Sequence, residues 1–483
     1  MRESVFVSSG CRVYDFVMGQ KFLPDTVNQT LLFPPSLHDW LPDGHLARFV
    51  VDVVSALDLD AIYASYREKD GRGQAAYAPE MMVRLLLYGY ANGVYSSRQI
   101  ETRTHEDVAF RYLSGDQHPD HSTLAEFRKR HLTALAGLFT QALLLCAKAG
   151  LVKLGHVAID GTKIKAHASK HKAMSYKRMT EAEARLKQEI EALLHQAEET
   201  DAAEDAQYGR NRRGDELPDA LSRRESRLQK IREARQALEE EAREKAEHER
   251  GETEKKLAER EEEERRTGQK KRGRKPEAPD PDKARPAGTA QRNFTDPESR
   301  IMPDGANKGS FVQGYNAQIA VDSASQVIVA AEVTQSSTDS RQLAPMLAQI
   351  AMHLGQKPEK ASADAGYFSE ANVTDTAVTG IDLYIATGRD KHGHPAEVAV
   401  GDAPAGATPR EQMRHKLRTE AGRAVYKMRK AIVEPVFGQI KERRGFRRFS
   451  LRGKQNVGGE WRLVCAVSNL LKLFRSGWTL QTA

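Results

Sequence analysis

The sequence predicts an α/β protein whose sheet is interrupted after its first strand by a long helical insertion and preceded by an all-helical region. Three observations predict it. A short apolar run, Gly155-His-Val-Ala-Ile-Asp160, reads as a strand. The stretch from Met174 to Arg266 keeps apolar residues three or four apart among charged ones. Beyond about residue 310, strand-like and helix-like patterns alternate.

The 483 residues are too many for one compact domain. Charged residues make up 29%, so some segment must be extended and solvated, and the net charge of +7 gathers around Arg429–Arg452 and Lys270–Lys275. Cys11, Cys146 and Cys465 form no CxxC pair, which argues against a disulfide framework or a zinc finger and for the reducing cytoplasm. LTALAGLFTQALLLCA is broken by Thr and Gln between His131 and Lys148 and reads as a buried helix, so no membrane span is expected. The first residues lack the basic head and apolar core of a secretory signal, and Met18 is an alternative start to Met1.

Residues 1–29 form an N-terminal tail, and 30–150 a helical region. HLARFVVDVVSAL has helical spacing, Pro79 opens PEMMVRLLLYGYANG, and Thr123-Leu-Ala-Glu126 fits a capping box opening one long helix to Gly150. The short basic helices SSRQIETRTHEDV and TLAEFRKRH suit a plain bundle and DNA contact equally. Residues 151–173 begin the sheet domain. In 174–266, Met179, Ala182, Leu186, Ile190, Leu193 and Ala197 and then Leu221, Leu228, Ile231 and Leu238 flank a break with Gly214 and Pro218, the pattern of an antiparallel coiled-coil hairpin. Residues 267–290, rich in Pro, Gly and Lys, read as a basic flexible linker. Within 291–483, SFVQGYNAQIAVD and QVIVAAEVTQ form a hairpin around SAS. Helix DSRQLAPMLAQIAMHLG, strand KASADAG, helix SEANVTDTAVTG, strand IDLYIAT and further helices follow.

Asp160 and Asp364 each end a short apolar run with a glycine within two residues. Aspartate often ends a strand because it favours turns. Two such strands in one sheet, if neighbours, set the acids close together, and like charges that close call for cations; Mg²⁺ or Mn²⁺ suits oxygen ligands of this kind. Glu434, alone among the aliphatics of Ile432–Ile440, supplies a third acid from a later helix. His167 and His171 lie four apart without a second pair and are not taken as a metal site.

The order Asp160, Asp364, Glu434 on strand, strand and helix resembles the DDE transposases of bacterial insertion sequences. IDGTKIKAHAS, NFTDPESRIM, ADAGYFSEAN and IVEPVFGQIKERRGFRRFSLRG all look like that group, as do PPSLHDWLPDGHLARFV and DHSTLAEFRKRH. The resemblance implies a ribonuclease H-like mixed sheet core behind an N-terminal helical domain. It implies an enzyme that binds terminal inverted repeats and cleaves and joins DNA strands with two Mg²⁺ or Mn²⁺ ions held by Asp160, Asp364 and Glu434. It also implies inverted-repeat and target DNA as partners and a homodimer or higher homo-oligomer on paired ends. The family signature around the glutamate is matched by Tyr426, Arg429, Glu434 and Lys441, with Arg429 one residue further from the acid than usual and Lys430 in the usual place. The resemblance implies that Tyr426, Lys441 and either Arg429 or Lys430 bind phosphate.

KERRGFRRFSLRGK independently offers Arg443, Arg444, Arg447, Arg448 and Arg452 as DNA contacts, with Phe446 and Phe449 either stacking on bases or packing into the core. Lys271-Arg-Gly-Arg-Lys-Pro276 resembles an AT-hook as much as a basic linker. A metal-dependent nuclease without joining activity and an inactive transposase-derived DNA-binding protein are the alternatives.

Overall fold

The computed structural model describes residues 36–67, 75–208, 219–270, 273–304, 309–388 and 397–479. The tail 1–29, the break at Gly214 and Pro218, and Lys271 and Arg272 of the AT-hook-like run lie outside them.

The helical region comprises α1 (Leu46–Ser55), α2 (Asp60–Arg67), α3 (Pro79–Ala91), α4 (Ser97–Glu106), α5 (Val108–Ser114), α6 (His121–Arg130) and α7 (Leu132–Lys148). Proline opens α3, where its missing N–H costs nothing. The single long helix expected from Thr123 is instead α6 and α7, bent by 71° at His131. The cap is Asp120, whose Oδ1 accepts from the N–H groups of Ser122 and Thr123 at 2.8 and 3.0 Å; Thr123 gives its hydroxyl to Asp120 Oδ2. Among the described residues no single helix is long and apolar enough to cross a membrane.

β1 (Val157–Lys165) opens the sheet; Val157, Ala158 and Ile159 are all buried, as a central strand covered on both faces requires. β2 (Ala173–Ser175) leads into α8 (Tyr176–Tyr208), and α9 (Asp219–Thr267) returns antiparallel to it. Their contact buries Met179, Ala182, Leu186, Leu228, Ile231, Ala234 and Leu238. Glu183 is buried in this contact and receives Arg232 and Arg235 at 3.1 and 2.6 Å. The pair is rooted where β2 meets β3 (Gln291–Asn293) and where Arg292 and Arg300 grip Glu241 at 2.6 and 2.9 Å. The stretch expected as a flexible linker packs against α9 at Pro281–Lys283 on its way to β3.

β4 (Arg300–Pro303), β5 (Phe311–Asp322), β6 (Ile328–Thr334), α10 (Leu343–Leu354), β7 (Lys360–Ala363), α11 (Glu370–Thr374), β8 (Asp382–Ile385), α12 (Pro409–Arg418), α13 (Glu420–Gly438) and α14 (Lys454–Arg475) complete the chain. The sheet order is β5-β1-β7-β8, with β4 and β6 pairing successive parts of the outer edge of β5. β1, β7 and β8 are parallel; β5 is antiparallel to β1. The segment expected as a full helix after Asp364 holds only α11 and a 3₁₀ turn, Thr376–Val378. α14 carries the buried Trp461 and packs between α7 and β6, so helices and sheet share one hydrophobic core.

Candidate active site

Parallel pairing of β1 with β7 sets Val157 beside Ala361, Ala158 beside Ser362 and Ile159 beside Ala363. The next residues in that register are Asp160 and Asp364. The two acids leave the register differently. Asp160 is not at a strand end: β1 runs on to Lys165 because β5 pairs along its whole length. Asp364 caps a 3₁₀ turn, Ala365–Tyr367, its Oδ1 accepting from Gly366 N at 2.8 Å.

Burial pushes the Asp160 carboxyl up to about 6, against the pull of Arg429 and with further repulsion from Asp364 and Asp339. Arg429 Nη1 donates to Asp160 Oδ2 at 3.2 Å, and its guanidinium lies 5.8 Å from the centre of the Tyr426 ring. Burial raises the Tyr426 hydroxyl, with Arg429 opposing. Arg429 Nε is buried without a hydrogen-bond partner among the described residues.

Asp339, in the connection between β6 and α10, is the acid that the sequence reading missed. Its Oδ1 accepts from Asn316 Nδ2 at 2.6 Å and Gln318 Nε2 at 2.7 Å and lies 3.9 Å from Lys163 Nζ. Burial lowers the Lys163 ammonium, with Asp339, Asp160 and Asp364 opposing. A signal was present: Asn316 and Gln318 are polar residues two apart in a central strand, both fully buried, and buried amides require partners.

Glu434 sits on the exposed side of α13 and makes no hydrogen bond or ion pair among the described residues. The face of α13 that meets the sheet carries Arg429, Ile432, Val433 and Val436; Lys430, in the usual signature place, is exposed. Among the described residues no group of three or more His, Cys, Asp or Glu side chains is arranged to hold a metal ion. The structure thus brings Asp160 and Asp364 together and leaves Glu434 outside. Pro435, expected in the first turn of a helix or at a kink, lies near the end of α13, ahead of a π-helical turn, Gln439–Arg443. A proline at 435 cannot donate to the carbonyl of Ala431, which accepts instead from Gln326 Nε2 at 3.0 Å.

Lys441 Nζ donates to Thr162 Oγ1 at 2.6 Å, two residues beyond Asp160 on the same face of β1. Burial lowers its ammonium, with Arg447 adding to the effect. The following segment runs beside the end of β1: Phe449 N donates to Lys165 O at 2.9 Å and Lys165 N to Arg447 O at 3.2 Å. Phe446 and Phe449 are core residues, meeting Tyr95, Trp461 and Tyr315, so they do not stack on bases. Their burial fixes the neighbouring cations outward: Arg443, Arg447, Arg448 and Arg452 are exposed. Arg444 is a correction. It is buried, bonded to Ser468, and its backbone carbonyl would stand 2.6 Å from a Cβ at Gly93, so it braces α14 and α3 and is not open to DNA. NFTDPESR holds the segment in place: Asp296 Oδ1 accepts from Tyr315 Oη at 2.9 Å and Gly453 N at 3.2 Å.

Residues 35–130 match the family described as Transposase domain (DUF772), and residues 281–470 match the Transposase DDE domain. No curated protein and no solved structure matches the chain. Asp160 and the whole α8–α9 pair fall between the matched stretches, while Asp364 and Glu434 fall inside the second. With one transposase domain matched over residues 35–130 and another over 281–470, the chain belongs to the DDE transposases of insertion sequences.

Proposed function

We propose that this transposase binds the terminal inverted repeats of its element and catalyses strand cleavage and strand transfer. The acids are Asp160, Asp364 and Glu434, with two Mg²⁺ or Mn²⁺ ions per site. The observation that supports the reading is the parallel pairing of β1 with β7 up to Ile159 and Ala363, the residues immediately before Asp160 and Asp364. The residues present suit such ions in kind: Asp160 and Asp364 offer carboxylate oxygens, which hard cations prefer, and a cation would relieve the repulsion between them. When bound, such ions would activate an oxygen nucleophile and stabilise the leaving oxygen.

The chain's own residues handle the phosphates. Arg429 keeps a buried Nε without a partner among the described residues, Tyr426 lies beside it, and Lys441 bonds Thr162, two residues along β1 from Asp160. Arg443, Arg447, Arg448 and Arg452 extend the positive surface from the site, as counter-charges for a duplex backbone. Glu434 is the third acid of this reading and stands on the exposed side of the same helix that carries Arg429. An antiparallel strand beside parallel ones agrees with a ribonuclease H-like core. The α8–α9 pair agrees with a coiled-coil arm that serves assembly of two subunits on paired ends.

The test uses labelled duplexes made from the DNA flanking the gene on each side, with Mg²⁺ or Mn²⁺. Cleavage at the element ends and joined products are expected. Asp160→Asn, Asp364→Asn and Glu434→Gln should each lose both products while still binding the duplex. Cleavage without joined products would leave a nuclease, and strand transfer by Asp160→Asn would end the reading.

A further inference from the structure

Asp339 belongs to no part of the signature, yet it lies against the backbone at both catalytic aspartates. β-sheet register separates two faces of β1. Asp160 and Thr162 share the face that meets Arg429 and Lys441 on and beyond α13. Gly161 and Lys163 share the other, directly opposite Gln318 and Asn316 of β5. Asp339 is on this second face. A Cβ at Gly161 would stand 2.9 Å from its Oδ1, and a Cβ at Gly366 would stand 3.5 Å from its Oδ2. Glycine at both positions leaves the space that one carboxylate fills between the two strands.

The contacts continue to the turn that carries Asp364. Gln318 gives its amide N–H to Asp339 and accepts through Oε1 from the hydroxyl of Tyr367, the buried last residue of that turn. The Gln318 carbonyl is itself held by Trp461 Nε1 at 3.1 Å, so the relay is anchored in the core. A second link runs from the residue after Asp339: Asn372 Nδ2 donates both to the Ser340 carbonyl and, at 2.7 Å, to the Tyr367 carbonyl. Asn316 also reaches the Ser336 carbonyl at 3.2 Å, pinning the start of the same loop.

We infer that Asp339 is a positioning residue for the catalytic pair: through Gln318 and Tyr367 it fixes the turn bearing Asp364 in register with Asp160. Its Oδ1 accepts from two amides on the far side of β1 at 2.6 and 2.7 Å, with Lys163 Nζ farther off at 3.9 Å, so it acts chiefly as an acceptor that orders the site. What matters is then an oxygen at that place, not its negative charge. This inference rests on the proposed reading of Asp160 and Asp364.

Asparagine at 339 keeps an acceptor oxygen for Asn316 and Gln318; alanine does not. With the flanking-DNA duplexes and Mn²⁺, Asp339→Asn should cleave within about 3-fold of wild type. Asp339→Ala should fall by about 10–100-fold, the usual range for loss of a group that orients a metal ligand. The Mn²⁺ concentration for half-maximal cleavage should rise in the alanine variant while duplex affinity stays unchanged, a separation that general loss of folding would not give. Tyr367→Phe removes the far end of the relay and should reproduce the effect. The double variant Asp339→Ala/Tyr367→Phe should be no worse than either single one. The inference is overturned if Asp339→Asn is as inactive as Asp160→Asn, if Asp339→Ala cleaves at the wild-type rate, or if the two losses multiply. Undiminished cleavage by Asp160→Asn would instead sink the reading of the site itself.

Discussion

Arg429, from the buried side of α13, donates to Asp160 in the middle of β1 at 3.2 Å, with its side chain only 9% exposed. A helix that packs against the sheet thus delivers a cation to the acid, and the register of that helix decides which signature residues face the site.

Arg429→Gln should weaken duplex binding and lower the salt slope of log K by about 0.9, the contribution of one phosphate contact. It should also lower metal-free stability at pH 7 by about 1–3 kcal/mol, because it leaves Asp160 buried without its partner. The sign with pH follows from the Asp160 carboxyl, pushed up to about 6 by burial: below that value it is protonated and the penalty fades. Thermal unfolding of both proteins at pH 5 and pH 7.5 checks this, and an equal deficit at both would contradict it.

Mn²⁺ should raise the unfolding temperature of the wild-type protein, because an ion that binds only the folded state at about 100 times its Kd adds ~2.7 kcal/mol. Asp160→Asn and Asp364→Asn should each remove most of that increment. The readout is a melting curve and needs no DNA.

Gly161→Ala should fold less stably by about 1–3 kcal/mol and lose cleavage. The added methyl would overlap Gln318 Nε2 and stand 2.9 Å from Asn316 Oδ1 and Asp339 Oδ1. Denaturant unfolding with a cleavage assay measures both, and wild-type values for the variant would show that the space can open freely.

The two kinds of arginine in the basic segment should separate cleanly. Arg444→Met should lower stability, since Arg444 is buried against Ser468, with little change in salt slope. Arg448→Ala and Arg452→Ala should leave the melting temperature unchanged and each reduce duplex affinity and salt slope. A fluorescence-anisotropy salt titration distinguishes them.

His156 Nε2 lies 2.8 Å from Ser362 Oγ, and burial, then Lys360, lowers its imidazolium below the ordinary 6.5. The unfolded chain therefore takes up a proton at higher pH than the folded one, and stability is lost as pH falls below about 6.5. Relative to His156→Gln, wild type should lose melting temperature between pH 7.5 and pH 5.5. Parallel curves would remove His156 from the acid response.

Much of the fold was legible because it rests on local patterns. Pro79 opened its helix where the sequence placed it, and SFVQGYNAQIAVD with QVIVAAEVTQ paired as a hairpin. The single helix from Thr123 failed because Asp120, three residues earlier, is the stronger cap, and His131 ends that helix with a bend. Phe446, Arg444 and Arg447 look alike in sequence as members of one basic and aromatic run, yet one is core, one is a buried brace and one faces solvent. Only packing against α14 and α3 separates them.

The sequence by itself determined the kinds of chemistry: which residues are acids, where a strand ends its apolar run, where cations crowd, and that a charged helical pair separates β1 from the rest of the sheet. Tertiary structure alone decided who meets whom. Parallel register set the residues before Asp160 and Asp364 side by side, helix phase chose Arg429 over Lys430 and turned Glu434 outward, and bare glycines admitted Asp339 on the other face of β1. The reason is physical: residue type fixes charge and hydrogen-bonding capacity locally. Distance between residues far apart in the chain is instead fixed by strand register, helix rotation and the volume left free in the core, which no single segment contains.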